Sequence, residues 1–280
     1  MGDTTVTTKA KLHIANSKPE VAPLLHAIII SCVQKCTDES KFVIALSGGS
    51  LPAFLSAGAL IQSFADAKVD PQWNRWHVFL ADERCVKNDH PDSNYCSIKT
   101  HMLTSELPIP ADQVFPIDDT VLDDTTPGTC TAESIAKDYE EKVKSVLGEN
   151  GKFDCILCGF GPDGHTCSLF PEHALLKVTD KMVASITDSP KPPPERITLT
   201  FPVLNTAKNV IFCGAGGSKA PILDAVFAEA SLVVVDGDTP SYDVVMADPA
   251  PYPCGMVQME GGDLYWVVDK DAATGVKAVE

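Results

Sequence analysis

The chain has 280 residues and a formal net charge of −16, with 44% hydrophobic and 21% charged residues. This is the balance of a globular protein long enough to bury most of its surface, and it excludes a disordered chain. The acidity argues against a nucleic-acid or anionic-membrane surface, and no apolar run approaches the ~20 residues of a membrane span.

No basic, apolar-cored leader opens the sequence. Met1-Gly2 suggests myristoylation, but that motif wants Ser or Thr where Val6 stands, and Lys277-Ala278-Val279-Glu280 is no peroxisomal tripeptide. A soluble, cytoplasmic, monomeric protein is expected. Ten cysteines raise the question of disulfides or zinc. Cys155 and Cys158 form a C-x-x-C inside a predicted strand with no second pair, and Cys32 and Cys36 lie one helical turn apart. Buried free thiols are expected, and no metal site.

In chain order, the pattern predicts a first strand around Leu12 to Ala15. Ser17-Lys18-Pro19-Glu20 reads as a capping box opening a helix to about Cys36. Phe42-Val43-Ile44-Ala45-Leu46 is a continuous apolar run, hence a buried parallel strand, ending in Ser47-Gly48-Gly49-Ser50. Leu51 to Phe64 reads as helix. Trp76 to Ala81 is a second buried strand, followed by Asp82-Glu83-Arg84 and a polar loop, and Ser93 caps a helix to Leu103. Val114 to Ile117 reads as a short strand, Asp118 to Gly128 as an acidic loop, and Thr131 to Leu147 as helix. Phe153 to Cys158 is a buried strand running into Gly159-Phe160-Gly161-Pro162-Asp163-Gly164-His165. Strands over Met182 to Ile186 and Arg196 to Phe201 flank the Pro-rich turn Ser189 to Glu195. Val210 to Cys213 is a strand ending in Gly214 to Lys219, followed by a helix to about Ala230, and Asp263 to Val268 closes the series. Helices alternating with strands predict an α/β fold: one domain over 1–280, with a doubly wound, mostly parallel Rossmann-like sheet and helices on both faces.

Chemistry is expected where strands end, because ligands in such sheets bind at carboxyl edges. Ser47, Gly48, Gly49 and Ser50 can turn backbone N–H groups toward an anion at a helix start, although an ordinary tight turn has the same composition. Neither this loop nor Gly214 to Lys219 has the Walker A spacing. Asp82 and Arg84 place charges after a strand, where a merely solvated loop is the alternative. Gly159 to Gly164 formally matches G-x-G-x-x-G, but Pro171 leaves no room for the helix a dinucleotide site requires. His165 is the informative residue: it follows the glycine loop with Asp163 near enough to orient it, and can serve as a base near neutral pH. Arg196 and Lys219 complete the set, with a surface pair to Glu195 and a solvated lysine as their plain alternatives. His13, His26, His77, His90, His101 and His173 have no comparable setting.

Leu46 to Ser50, Ala81 to Arg84, Gly159 to Pro171 and Glu195 to Thr200 together resemble the 6-phosphogluconolactonases, relatives of the glucosamine-6-phosphate isomerase/deaminases. The resemblance implies hydrolysis of 6-phosphoglucono-δ-lactone to 6-phosphogluconate in the oxidative pentose phosphate pathway, with no metal or organic cofactor. It implies His165 as the base that activates water, and Asp163 as its orienting partner. It assigns Ser47, Gly48, Gly49, Ser50, Asp82, Gly164, Arg196 and Lys219 to phosphate and sugar, and Arg84 to substrate or the developing oxyanion. In the isomerase branch a glutamate precedes the proline of the third block; here Phe170 stands there, which favours hydrolysis over isomerisation. A sugar-phosphate isomerase or deaminase, a non-catalytic sugar-phosphate sensor and a nicotinamide oxidoreductase are the rival expectations. Retention of both Asp163 and His165 speaks against the sensor.

Overall fold

A computed structural model describes residues 8–37, 41–122, 131–148, 151–236 and 239–279. In chain order the elements are β1 (Lys9–Ala15), α1 (Val21–Lys35), β2 (Phe42–Leu46), α2 (Leu51–Phe54), α3 (Ala57–Ala67), β3 (Trp76–Leu80), β4 (Asp82–Arg84), α4 (Asn94–His101) and α5 (Ala132–Leu147). They continue as β5 (Cys155–Cys158), β6 (Val183–Ile186), β7 (Arg196–Leu199), α6 (Phe201–Thr206), β8 (Asn209–Gly214), α7 (Ala220–Val226), β9 (Phe227–Asp236), β10 (Thr239–Met246), β11 (Asp263–Asp269), α8 (Lys270–Ala273) and β12 (Ala278–Val279). Residues 1–7 and 123–130, which include the Met1-Gly2 start and most of the acidic loop, lie outside the described residues.

Nine strands form the main sheet in the order β12-β9-β10-β1-β11-β8-β5-β2-β3. Every neighbour from β1 across to β3 is parallel, whereas β10 runs antiparallel to both β1 and β9. The apolar runs read as buried strands are the centre of this sheet: all five residues of β2 and all four of β5 are buried. After β2 the chain moves outward to the edge strand β3, then returns to the other side of β2 for β5, β8 and β11. The crossovers therefore diverge between β2 and β5, and the carboxyl ends of those two strands face a crevice.

A second, antiparallel sheet, β4-β7-β6, lies beyond β3 in the chain path. Asp82-Glu83-Arg84, expected as charges at the end of a strand, is its edge strand and pairs with β7 so that Arg84 stands opposite Arg196. The core beneath both sheets is one contiguous cluster. Within it Trp266 stacks on Phe212 at 4.3 Å and meets Phe160, of the glycine loop, edge-on at 5.1 Å. No described helix is long and apolar enough to cross a membrane.

Several elements depart from expectation. The helix expected over Leu51 to Phe64 is broken into α2 and α3, because the Phe54 carbonyl lies 2.7 Å from His26 Nε2 rather than in a continuing helix. Val114 to Ile117 makes only one bridge, to Val78; Pro116 has no N–H with which to extend it. The helix expected to reach Ala230 stops at Val226, whose carbonyl accepts Ala247 N–H, and the chain turns into the β9–β10 hairpin. Ser17 does not cap backbone: its hydroxyl donates to Glu20 Oε1 at 2.9 Å, and a single 3₁₀ turn precedes α1. Thr131 does cap α5, reciprocally with Ser134.

Candidate functional site

The crevice between β2 and β5 opens into a cavity of about 240 Å³. Ser47, Gly48, Gly49 and Ser50 line it from the end of β2, Gly159 to Pro162 and His165 from the end of β5, and Lys219 from the turn after β8. Asp82 and Arg84 on β4 and Arg196 on β7 close the remaining side. The fold thus collects residues separated by up to 172 positions in sequence, by bringing the ends of β2, β5 and β8 to one edge and facing them with β4 and β7.

At Gly48 a side chain is excluded. A Cβ there would stand 1.8 Å from Asn94 Oδ1. Asn94 is held in place by its own N–H to Glu83 Oε1, at 2.7 Å, and by its side-chain amide to the Asp82 carbonyl, at 2.8 Å. Glu83 is fully buried and also accepts hydrogen bonds from the Arg84 and Tyr95 backbones and from the Ser93 hydroxyl. Burial pushes this carboxyl up to about 7 even against those four donors, which favour its anion. Glu83 therefore ties the start of α4 to β4 and fixes the backbone between Asp82 and Arg84. The Asp82 carboxylate accepts the Ser168 hydroxyl at 3.0 Å.

His165 is in the cavity wall and Asp163 lies behind it, with His165 Nδ1 2.5 Å from Asp163 Oδ1. A bare imidazole nitrogen that close to a carboxylate oxygen would be repulsive, so Nδ1 carries the proton and donates it, leaving Nε2 as the free lone pair. Burial lowers the His165 pKa below its ordinary value, although Asp163 opposes that, and Lys191 adds to it. Partial burial alone would raise Asp163, but hydrogen bonds from His165 and Lys191 bring it down to about 2. The pair is therefore neutral imidazole on carboxylate near neutral pH. Phe170 stacks on the His165 ring at 4.9 Å and carries the Arg196 guanidinium on its ring at 5.7 Å.

Gly164 does not line the cavity. It has φ +77°, its carbonyl accepts Cys254 N–H at 3.0 Å, and the Tyr252 side chain occupies the space a Cβ would take. Its role is to let the loop turn beneath Tyr252. Among the cations, Arg84 donates from Nη1 to the Asp92 carbonyl, and its Nε is buried with no partner among the described residues. Arg196 is not paired with Glu195: its Nε and Nη2 bond the carbonyls of Pro193, Lys191 and Pro192 at 2.8–3.0 Å, so most of its donors hold the Pro-rich turn. Lys219 is not a solvated lysine; it donates to the Phe160 carbonyl, and burial lowers its pKa.

Two neighbours escaped the sequence reading. Asn94 was hidden behind a cap residue. Lys191 sat in a Pro-rich turn with no local signal, and only the pairing of β6 with β7 brings it to Asp163.

A family model for glucosamine-6-phosphate isomerases/6-phosphogluconolactonase matches residues 16–266. A 6-phosphogluconolactonase of Homo sapiens is 36% identical over 266 residues, covering 94% of this chain and 92% of the relative. A probable 6-phosphogluconolactonase of Arabidopsis thaliana is 38% identical over 247 residues, 85% of this chain and 82% of the relative. The solved 6-phosphogluconolactonase of Trypanosoma brucei superposes with a TM-score of 0.70 at 25% identity, over 96% of this chain and 99% of that one.

Proposed function

The chain belongs to the glucosamine-6-phosphate isomerase/6-phosphogluconolactonase family, and from that membership we propose that it hydrolyses 6-phospho-D-glucono-1,5-lactone to 6-phosphogluconate, in the oxidative pentose phosphate pathway. The observation that carries the catalytic part is the His165–Asp163 pair, a neutral base with its free nitrogen on the wall of a cavity ringed by Arg84, Arg196 and Lys219.

The substrate phosphate and hydroxyls dock on Ser47 to Ser50, Asp82, Lys219 and the Arg196 Nη1 that the Pro-rich turn leaves over. His165 Nε2 takes a proton from water as the water oxygen bonds the lactone carbonyl carbon. Backbone N–H groups of the glycine loop and Arg84 hold the resulting oxyanion. Collapse breaks the bond from that carbon to the ring oxygen, the imidazolium returns its proton to that oxygen, and the new acid ionises in water. Asp163 keeps the imidazole in the required tautomer throughout. The position where the resemblance puts an isomerase carboxylate is filled by Phe170, fully buried against the imidazole, so the second proton-transfer group of an isomerase is missing there. The reading includes a monomer in the cytoplasm and a single domain, the last supported by one contiguous core.

The test generates the lactone in place with glucose-6-phosphate dehydrogenase and subtracts spontaneous opening. Wild-type protein is expected to speed acid formation, and His165→Ala to lose ~10²–10⁴-fold. A His165→Ala enzyme close to wild-type rate removes His165 from the mechanism.

A further inference from the structure

The turn between β6 and β7 is built to hold one lysine. Ser189 N–H bonds the Pro194 carbonyl at 3.2 Å, and Ser189 Oγ donates to the Lys191 carbonyl at 2.9 Å while receiving Lys191 N–H at 3.3 Å. Arg196 adds its own bond to that carbonyl at 2.8 Å. Both backbone groups of Lys191 are thereby fixed, and three prolines follow it. Its side chain then crosses to the β5 loop. There Nζ stands 3.0 Å from Asp163 Oδ1, 3.0 Å from Asp163 Oδ2 and 3.0 Å from His165 Nδ1.

We propose that Lys191 is a positioning residue of the hydrolysis, pinning the Asp163 carboxylate so that it can only orient the imidazole, and disfavouring the imidazolium so that Nε2 stays free to take the proton of water. The proposal rests on the lactonase reading. Its first part is geometric. A carboxylate bound at both oxygens by an ammonium cannot rotate away from Nδ1, and loss of about an ångström of alignment at a base is costly in rate. The second part is electrostatic. The charged groups facing the imidazole are Asp163 in contact, Asp82 from β4, the cavity cations Arg84, Arg196 and Lys219, and Lys191 itself, among the described residues the one cation touching the ring. An adjacent positive charge opposes protonation of His165 and, once the proton has been taken, favours its passage to the ring oxygen leaving the lactone carbon.

The experiment pairs Lys191→Met and Lys191→Arg with wild type, reading kcat/KM against pH and the His165 ring titration by NMR. With Lys191→Met, kcat/KM is expected to fall by at least about tenfold at neutral pH. The acid limb and the NMR titration should both move to higher pH, because the removed charge no longer opposes the imidazolium. Lys191→Arg should restore both midpoints. The lysine side chain is 38% exposed and the turn is held by other bonds, so Lys191→Met should fold; Lys191→Gln is the second variant if it does not. A merely structural lysine would lower stability with both midpoints unchanged, and a substrate-binding lysine would raise KM with both midpoints unchanged. Either result overturns the proposal, as does a titration that moves to lower pH. The NMR titration needs no turnover. A wild type that fails to hydrolyse the lactone therefore sinks the lactonase reading while the effect of Lys191 on His165 is still measured.

Discussion

At the His165 ring two influences oppose each other. Burial and Lys191 favour the neutral ring, and Asp163 favours the charged one; burial prevails, so the pKa lies below its ordinary value. A base is active only when unprotonated, so the acid midpoint of kcat/KM should lie below the ordinary histidine value of about 6.5. A blank-corrected profile from pH 4.5 to 8 checks this, and an acid midpoint at or above 6.5 would contradict the burial argument. Asp163→Asn separates orientation from acidity. The new amide can donate to Nδ1, which moves the ring proton to Nε2 and removes the free lone pair from the cavity. A loss of ~10²–10⁴-fold in kcat with little change in circular dichroism is expected. Retention of full kcat would mean that the tautomer does not matter.

Among the elements, the Ser47 to Ser50 turn and α4 are fitted to each other at one point, where Gly48 faces Asn94. Gly48→Ala drives a Cβ into Asn94 Oδ1, and the amide must leave the Asp82 carbonyl. The expected cost is ~1–3 kcal/mol of stability for the orphaned buried groups, with a raised KM, since Asp82 and Gly48 share the cavity. In an Asn94→Ala background the same substitution should cost far less, and a double-mutant cycle showing simple additivity would refute the coupling. The loop ends were legible in the sequence because glycine runs after buried strands leave few alternatives. Position along the chain also revealed β2, β3, β5, β8 and β11, whose apolar runs are long and continuous. What stayed hidden depended on partners distant in sequence. Phe227 to Ala230 prolong an apolar helical pattern, and only pairing with β10 makes them strand. Asp82 to Arg84 are polar enough to read as loop until β7 supplies a register. Lys191 carries no signal in its own neighbourhood; its meaning comes from a loop 28 residues away.

For the molecule as a whole, a net charge of −16 repels a phosphorylated sugar acid, so binding must depend on cations focused at the switch point. The cavity touches the ends of β2, β5 and β8 and both strands β4 and β7, so a ligand there bridges the two sheets and binds only the folded chain. The product 6-phosphogluconate, at 100 times its Kd, should therefore add ~2.7 kcal/mol of stability. For a chain of 280 residues that corresponds to an upward Tm shift of roughly 4–5 °C. Arg84 has one donor on the Asp92 carbonyl and a buried Nε without a partner, so its removal subtracts little from the unliganded fold. Arg84→Met should keep the Tm of the free protein within about 2 °C while losing most of the product-induced shift at the same concentration. Scanning calorimetry with and without product measures both. An undiminished shift in Arg84→Met would place the anion elsewhere than beside β4. A collapse of the unliganded Tm would instead make Arg84 a structural cation, and would leave the developing oxyanion to the backbone N–H groups of the glycine loop.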